Sequence, residues 1–241
     1  LFQFFFKIIY GKIEVYENNL SELTVETKNI NIENSSKIYK VYIIPESRLY
    51  TDRIHTVAII KNKKILSGPS LQLKNNINSS ITNNIVLKSG TPRLKKNIKG
   101  TLLSLLTGGG GNDNYFHWLF DVLPRIGICE KTNILKDVEY FLCPSINKWQ
   151  KETLELLNIP IVKLLNSKTF RHIEADNLIV TDHPWQHSID ANKDIQNIPE
   201  WIILWLKDKY LKNISESNSP KKIYIDRGDS LSNLKNKRKI I

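Results

Sequence analysis

From residue 101 onward, short apolar runs alternate with segments of helical periodicity, and this alternation constrains the fold more than any other feature. The strand-like runs lie near Leu102 and at residues 139–143, 161–165 and 178–181. The helix-like segments lie at residues 112–126, 148–157 and 199–211. Strands that alternate with helices of this length indicate βαβ units and a parallel sheet. We therefore predict an α/β fold for residues 101–211.

Residues 1–100 differ, because short runs of β-forming residues are separated by loops rich in Asn and Ser. The predicted strands are residues 38–44, 57–60, 65–66 and 85–88. Asn62 and Lys63 stand where a hairpin turn would join the second and third of these strands. The pattern predicts a β-rich N-terminal region of the first domain.

The chain opens with an apolar and aromatic segment of ten residues, LFQFFFKIIY. A helix that crosses a bilayer needs about 20 residues. The segment therefore fits either an ordinary buried strand or the end of a longer anchor or signal. Peripheral association with a membrane stays open on this basis.

The polar segment 212–220 has the composition of a linker between domains. The short apolar run 223–225 follows it and predicts a strand. We therefore predict three parts: a β-rich region over residues 1–100, a βαβ part over 101–211, and a linker with the first strand and loop of a second domain over 212–241.

The predicted helix at residues 112–126 reads NDNYFHWLFDVLPRI and carries three polar side chains at helical spacing. His117, Asp121 and Arg125 recur at every fourth position, so on a regular helix they share one face. The apolar side chains form a second face, made of Tyr115, Trp118, Leu119, Val122, Leu123 and Ile126. We predict that the apolar face packs on a core and that the polar face borders a cleft or solvent.

The residues around this helix add two expectations. A glycine run at residues 108–111 precedes it, and the Asn and Asp residues at 112–114 all suit an N-cap. The positive end of the helix dipole then lies near His117, which predicts a neutral imidazole near pH 7. Pro124 removes the hydrogen bond to the Phe120 carbonyl and predicts a kink.

This helix resembles the signature of glycosyltransferase family 61, an N-Y-x-H-W-x-x-D-x-L-P-R run after a glycine-containing loop. The positions that agree are Asn114, Tyr115, His117, Trp118, Asp121, Leu123, Pro124 and Arg125. Residues 222–238, KIYIDRGDSLSNLKNKR, are similar to a later strand and loop of the family with two arginines, here Arg227 and Arg238. Asp226 stands where the family has serine. The resemblance covers most of residues 50–241.

The resemblance implies a GT-B-type enzyme, in which two Rossmann-like domains face each other across a cleft. It implies transfer of a sugar from a nucleotide-sugar donor to a hydroxyl of a glycan or glycoprotein acceptor, with inversion and without a metal ion or other cofactor. The sequence has no Asp-x-Asp element that would hold a divalent ion. Because the family pattern continues past Ile241 and the chain contains no methionine, we expect a fragment cut at both ends that carries the first domain.

Residue roles follow from this resemblance and from the chemistry of glycosyl transfer. His117 is the expected base, and Asp121 would orient its imidazole, although the reverse assignment stays open. Asn114 is expected to bind substrate. Arg125 is expected to be a structural or substrate-binding cation that pairs with Asp121. Arg227 and Arg238 are the expected ligands of the donor diphosphate. His183, Trp185 and His187 follow a predicted strand and are candidates for the cleft lining, whereas His55 and His172 have no expected role.

Composition limits the remaining functions. The net charge of +11 comes from lysines dispersed along the chain, as on a solvated surface, so we expect no nucleic-acid partner. Cys129 and Cys143 have the spacing of neither a disulfide framework nor a metal site, and we expect both to be buried. The alternatives to an enzyme are a catalytically inactive carbohydrate-binding or scaffold fragment and a basic nucleic-acid-binding module. The expected location is cytoplasmic or membrane-peripheral for a bacterial protein and the secretory-pathway lumen for a eukaryotic one.

Overall fold

A computed structural model describes residues 2–75, 77–108 and 113–212, the side chains of residues 2–4 and 74 excepted. The predicted second-domain segment, with Arg227 and Arg238, lies outside the described residues, as do most of the predicted linker and glycine run.

Mixed α/β structure fills the described part of the chain, which agrees with the predicted class. The strands are β1 Glu14–Tyr16, β2 Glu26–Asn31, β3 Ile38–Thr51, β4 Thr56–Lys61, β5 Lys64–Leu66, β6 Leu71–Lys74, β7 Ile77–Asn78, β8 Lys96–Ser104, β9 Tyr140–Cys143, β10 Leu164–Asn166 and β11 His172–Thr181. The helices are α1 Phe2–Tyr10, α2 Ile85–Ser89, α3 Tyr115–His117, α4 Leu123–Glu130, α5 Lys148–Glu155, α6 Ala191–Asp194 and α7 Glu200–Leu211. A π turn, Trp118–Val122, joins α3 to α4.

One open sheet runs through both the N-terminal region and the βαβ part, in the order β1-β5-β4-β3-β11-β8-β9-β10. Strands β8, β9, β10 and β11 are parallel to their neighbours in this group, and β3 pairs antiparallel with β11. Helices connect β8 to β9 and β9 to β10, so the βαβ units predicted from the alternating pattern are confirmed. The connection from β10 to β11 is short, residues 167–171, and contains no helix.

The N-terminal prediction of β structure is confirmed for three of its strands and for the hairpin turn. Asn62 and Lys63 have φ values of 49° and 61°, the positive angles that a two-residue hairpin turn requires. The prediction of a strand at residues 85–88 is wrong, because these residues belong to helix α2. The Asn84 side chain caps this helix by accepting a hydrogen bond from the Val86 N–H. The opening segment is helix α1 rather than a buried strand.

The two faces of the sheet bury separate cores because successive strand residues point to opposite sides. Leu103, Phe141 and Ile179 pack with the helices, including Trp118 and Trp201. The neighbouring residues on the same strands pack on the other face with side chains of β3, β4 and β5, namely Leu102, Leu142, Leu178, Leu49, Ile59 and Leu66. Both faces of the sheet therefore carry buried apolar side chains, and within β3 Glu46 has a φ of 43°.

Both cysteines are buried and free, as predicted. Burial raises the pKa of each thiol to about 12, which keeps them protonated and unreactive. None of the helices in the described ranges is both long and apolar enough to cross a bilayer.

Helices α4 and α7 pack together where Gly127 faces the ring of Trp205. A methyl group at Gly127 would lie 2.9 Å from Cε2 of Trp205, closer than carbon atoms pack. Gly127→Ala should therefore lower the free energy of unfolding by about 1–3 kcal/mol in urea denaturation, despite the better helix propensity of alanine. In a Trp205→Leu background the same change should be neutral or stabilising. An equal loss in both backgrounds would contradict the contact.

Candidate active site

The candidate site is carried by residues 115–130, a continuous helical segment made of α3, the π turn and α4. Asn114 is its N-cap, with Oδ1 accepting hydrogen bonds from the Phe116 and His117 N–H groups at 2.9 and 3.3 Å. This confirms Asn114 among the predicted capping residues and fixes the backbone of His117 at the first turn. A contact between Asn114 and substrate stays a prediction.

Where the sequence predicts a kink caused by Pro124, the structure has the π turn Trp118–Val122. Pro124 has no N–H, so the Phe120 carbonyl cannot accept the usual bond from four residues ahead. A wider turn with one extra residue accommodates this loss, and such turns often occur at functional sites. The extra residue rotates every later side chain away from the direction expected on a regular helix. Arg125 therefore does not share a face with His117.

His117 and Asp121 form the central contact of the site. His117 Nδ1 lies 2.7 Å from Asp121 Oδ2, and since a carboxylate only accepts, Nδ1 carries the hydrogen. In the neutral ring this leaves the lone pair on Nε2. The hydrogen bond to Asp121 raises the pKa of His117 more than burial lowers it. The pKa of His117 is thus shifted upward, opposite to the direction expected from the helix dipole.

Asp121 is almost sealed in the protein, with 3% of its surface exposed, and three side chains surround its carboxylate. Trp185 Nε1 donates to Oδ1 at 2.6 Å, His117 Nδ1 donates to Oδ2, and His183 Nε2 lies 3.7 Å from Oδ2. Burial by itself would raise the pKa of Asp121, but the hydrogen bond from His117 and the nearby His183 ring hold it below its usual value. Asp121 is therefore a buried, charged acceptor.

His183 and Trp185 lie in the loop that follows β11, and sequence analysis gave them no defined role. His183 Nδ1 accepts from the backbone N–H of Gln186 at 3.0 Å, so its ring hydrogen sits on Nε2 and faces Asp121. Burial lowers the pKa of His183 and favours this neutral form. The only sequence signal was their position just after a strand. His187, the third candidate, instead contacts Lys37.

An open cavity of about 340 Å³ borders this cluster. His117, Asp121, His183 and Trp185 line part of it, and the other lining residues are Leu73, Thr107 and residues of the 186–195 segment, which includes α6. Thr107 follows β8 and His183 follows β11, so the cavity lies outside the carboxyl ends of these two adjacent strands. In the sheet β8 lies between β9 and β11, so the chain moves from β8 to its neighbour on one side and later returns to its neighbour on the other side. Open α/β sheets bind ligands at such a switch point.

Arg125 does not line the cavity, so its contacts fit the expected structural role and not the substrate-binding one. Its side chain is fully buried, with Nε donating to the main-chain oxygen of Asp121 at 3.0 Å rather than to the carboxylate. Nη1 donates to the carbonyl oxygen of Thr181 at 3.0 Å. Burial lowers the pKa of Arg125 to about 10, so the guanidinium stays charged. Arg125 ties the helix to the end of β11 and supports the loop that carries His183.

Other predicted positions fall away from the site. Tyr115, expected on the apolar face, is 62% exposed and contacts Trp149, whereas Trp118 is buried as predicted. His172 lines a different cavity, and His55 pairs with Asp52 at the surface. Within the described ranges, no group of three or more His, Cys, Asp or Glu side chains is arranged to hold a metal ion.

Comparisons of the chain with protein-family models, with curated proteins and with solved structures return no match. The chemistry open to the site follows from its own geometry. A half-exposed imidazole with its free nitrogen on a cavity, and a buried carboxylate behind it, can accept a proton from a bound hydroxyl.

This geometry predicts the ionisation of His117. In NMR titrations the pKa of His117 should lie above about 6.5, and Asp121→Asn should bring it below that value, because burial then acts alone. A raised pKa in the folded state stabilises the fold fully below about pH 6.5, and this contribution is lost as the pH rises through the folded-state pKa. The unfolding free energy of the wild type relative to His117→Gln should therefore fall as the pH rises above about 6.5. No change in pKa for Asp121→Asn would contradict the contact.

Proposed function

We propose that the protein is a glycosyltransferase that moves a sugar from a nucleotide-sugar donor to a hydroxyl of a glycan or glycoprotein acceptor, with inversion. The observation that carries the proposal is His117, held through Nδ1 by buried Asp121 with Nε2 left for the cavity. The resemblance of residues 114–125 to the family 61 signature supports it, because the agreeing positions include both members of this pair.

In the proposed reaction His117 is the general base. Nε2 takes the proton of the acceptor hydroxyl as its oxygen attacks the anomeric carbon. The bond from that carbon to the donor phosphate breaks on the opposite side, and the nucleoside diphosphate leaves with the bonding electrons. The imidazolium that forms is stabilised by the Asp121 charge at 2.7 Å.

The contacts of Asp121 favour His117 over Asp121 as the proposed base. Oδ1 accepts from Trp185 and Oδ2 from His117, so both oxygens are occupied. Its pKa is held below the usual value, which weakens it as a proton acceptor. We assign Asp121 the role of orienting His117.

The proposal extends to the fold and the donor. We propose that the sheet is the Rossmann-like first domain of a GT-B-type enzyme, with the cavity facing the second domain. The order β10-β9-β8-β11 supports this, since it is the order of the first four strands of a dinucleotide-binding sheet. The antiparallel pairing of β11 with β3 departs from that pattern. Arg227 and Arg238, proposed from the resemblance, would bind the diphosphate and supply positive charge to the leaving group without a metal ion.

The test measures release of nucleoside diphosphate from a panel of nucleotide sugars, with and without glycan acceptors, using the complete protein. His117→Ala should lower kcat/KM by about 10²- to 10⁴-fold, the usual contribution of a general base. His55→Ala, which removes an exposed histidine outside the cavity, should leave it unchanged. Activity should rise with pH as His117 loses its proton, and Asp121→Asn should move this rise to lower pH while reducing the maximum.

Two results would contradict the proposal. Donor or glycan binding without turnover in the wild type would favour the carbohydrate-binding alternative. DNA binding that weakens with salt, again without turnover, would favour the basic nucleic-acid-binding module.

A further inference from the structure

Helix α1 has an apolar face that packs on the protein. Phe6 is buried, and its ring stacks on that of Tyr10, one turn later, at 6.1 Å. Tyr10 packs edge-on against His172 at 4.7 Å, and its hydroxyl accepts a hydrogen bond from the Lys95 N–H at 2.8 Å. These contacts hold α1 against the start of β11.

The opposite side of α1 is also apolar, and it faces outward. Phe5, Ile8 and Ile9 are spaced so that they share one helical face, and they are 52%, 68% and 47% exposed. Leu94, 72% exposed, lines the same cavity as Phe5 and Phe6. A helix that is apolar on both sides, with one side uncovered, marks a surface that contacts another apolar phase.

Next to this face lies the larger of the cavities described here, about 560 Å³ in volume. Phe5, Phe6 and Leu94 form its apolar wall, and three cations, Arg93, Lys168 and Arg171, form its polar wall. Among the described residues that line it, none is acidic. The cavity thus places positive charge directly beside the uncovered face of α1.

Arg171, one of the three cations in the polar wall, is held in position by hydrogen bonds. Arg171 donates from Nε and Nη2 to the carbonyl oxygens of Thr51 and Asp52, at 3.2 and 2.8 Å. Burial and then the nearby charge of Arg93 lower the pKa of Arg171, while the Asp52 carboxylate opposes this in part. Arg93 and Arg171 both line the cavity, and guanidinium groups bind phosphate oxygens through charge-assisted hydrogen bonds.

We propose that α1 and this cavity form a docking site for an anionic phospholipid surface. The nine described residues of α1 span about 14 Å, and in the proposed arrangement they lie along the membrane surface. Phe5, Ile8 and Ile9 enter the boundary between headgroups and acyl chains, and Arg93, Lys168 and Arg171 bind lipid phosphate. Apolar insertion and basic attraction act together, as stable attachment without a spanning helix requires.

The proposal is independent of the glycosyltransferase assignment. The docking site lies at the start of β11, beside His172, and the candidate active site lies beyond the end of the same strand. The two cavities share no lining residue, so each site can be substituted separately. Loss of vesicle binding and loss of transferase activity can therefore be measured independently.

The experiment is flotation of the full chain with vesicles of phosphatidylcholine, alone or with phosphatidylglycerol at about one lipid in three. Binding should require the anionic lipid and weaken with salt. Arg93→Gln with Lys168→Gln should reduce the affinity about 30-fold, since each cation near an anionic surface contributes about fivefold. Ile8→Ser should reduce it at least about tenfold through lost apolar burial.

Matched controls separate a specific site from general attraction by the net charge of +11. Lys148→Gln with Lys212→Gln removes the same charge from exposed positions elsewhere, and Val162→Ser removes an apolar side chain that is 87% exposed. Both controls should bind like the wild type. Equal losses in the controls and the site variants would overturn the proposal. So would a dimer that Ile8→Ser dissociates without any effect on vesicle binding, because a second copy would then cover the face.

Discussion

The candidate site depends on one buried charge, the carboxylate of Asp121. A carboxylate taken out of water destabilises a fold by several kcal/mol unless other groups replace its hydration. Here the replacement comes from two parts of the chain: His117 on the same helix, and His183 and Trp185 in the loop after β11. The charge is therefore satisfied only when the helix is docked on the sheet, so the assembly of the site and the folding of this region are the same event.

Arg125 reinforces that junction from the opposite side. Its guanidinium donates to main-chain oxygens of Asp121 and Thr181, and these bonds fix the helix relative to the last residue of β11. The three polar residues of this helical segment thus make different kinds of contact. His117 meets the cavity, Asp121 holds its imidazole, and Arg125 holds the helix. Motif agreement by itself does not distinguish residues that touch substrate from those that keep the site in place.

Sequence periodicity predicted the parallel sheet because each strand and helix from residue 101 onward carries its own pattern. It could not predict the π turn, since Pro124 signals a lost hydrogen bond without stating how the backbone absorbs the loss. The partnership of Trp185 with Asp121 joins residues far apart in sequence, and no local pattern encodes it. Helix α1 was missed because an almost uniformly apolar run has no periodicity that separates helix from strand.

Strand β11 connects the proposed lipid-docking site to the candidate active site. Its first residue, His172, contacts the helix proposed to rest on lipid, and its last, Thr181, leads into the loop that holds His183. Ten residues of extended chain measure at most about 35 Å. If α1 rests in the headgroup layer as proposed, the length of β11 limits how far the cavity can stand from the bilayer, and the proposed transfer would then favour acceptors whose hydroxyl lies within that distance of the lipid.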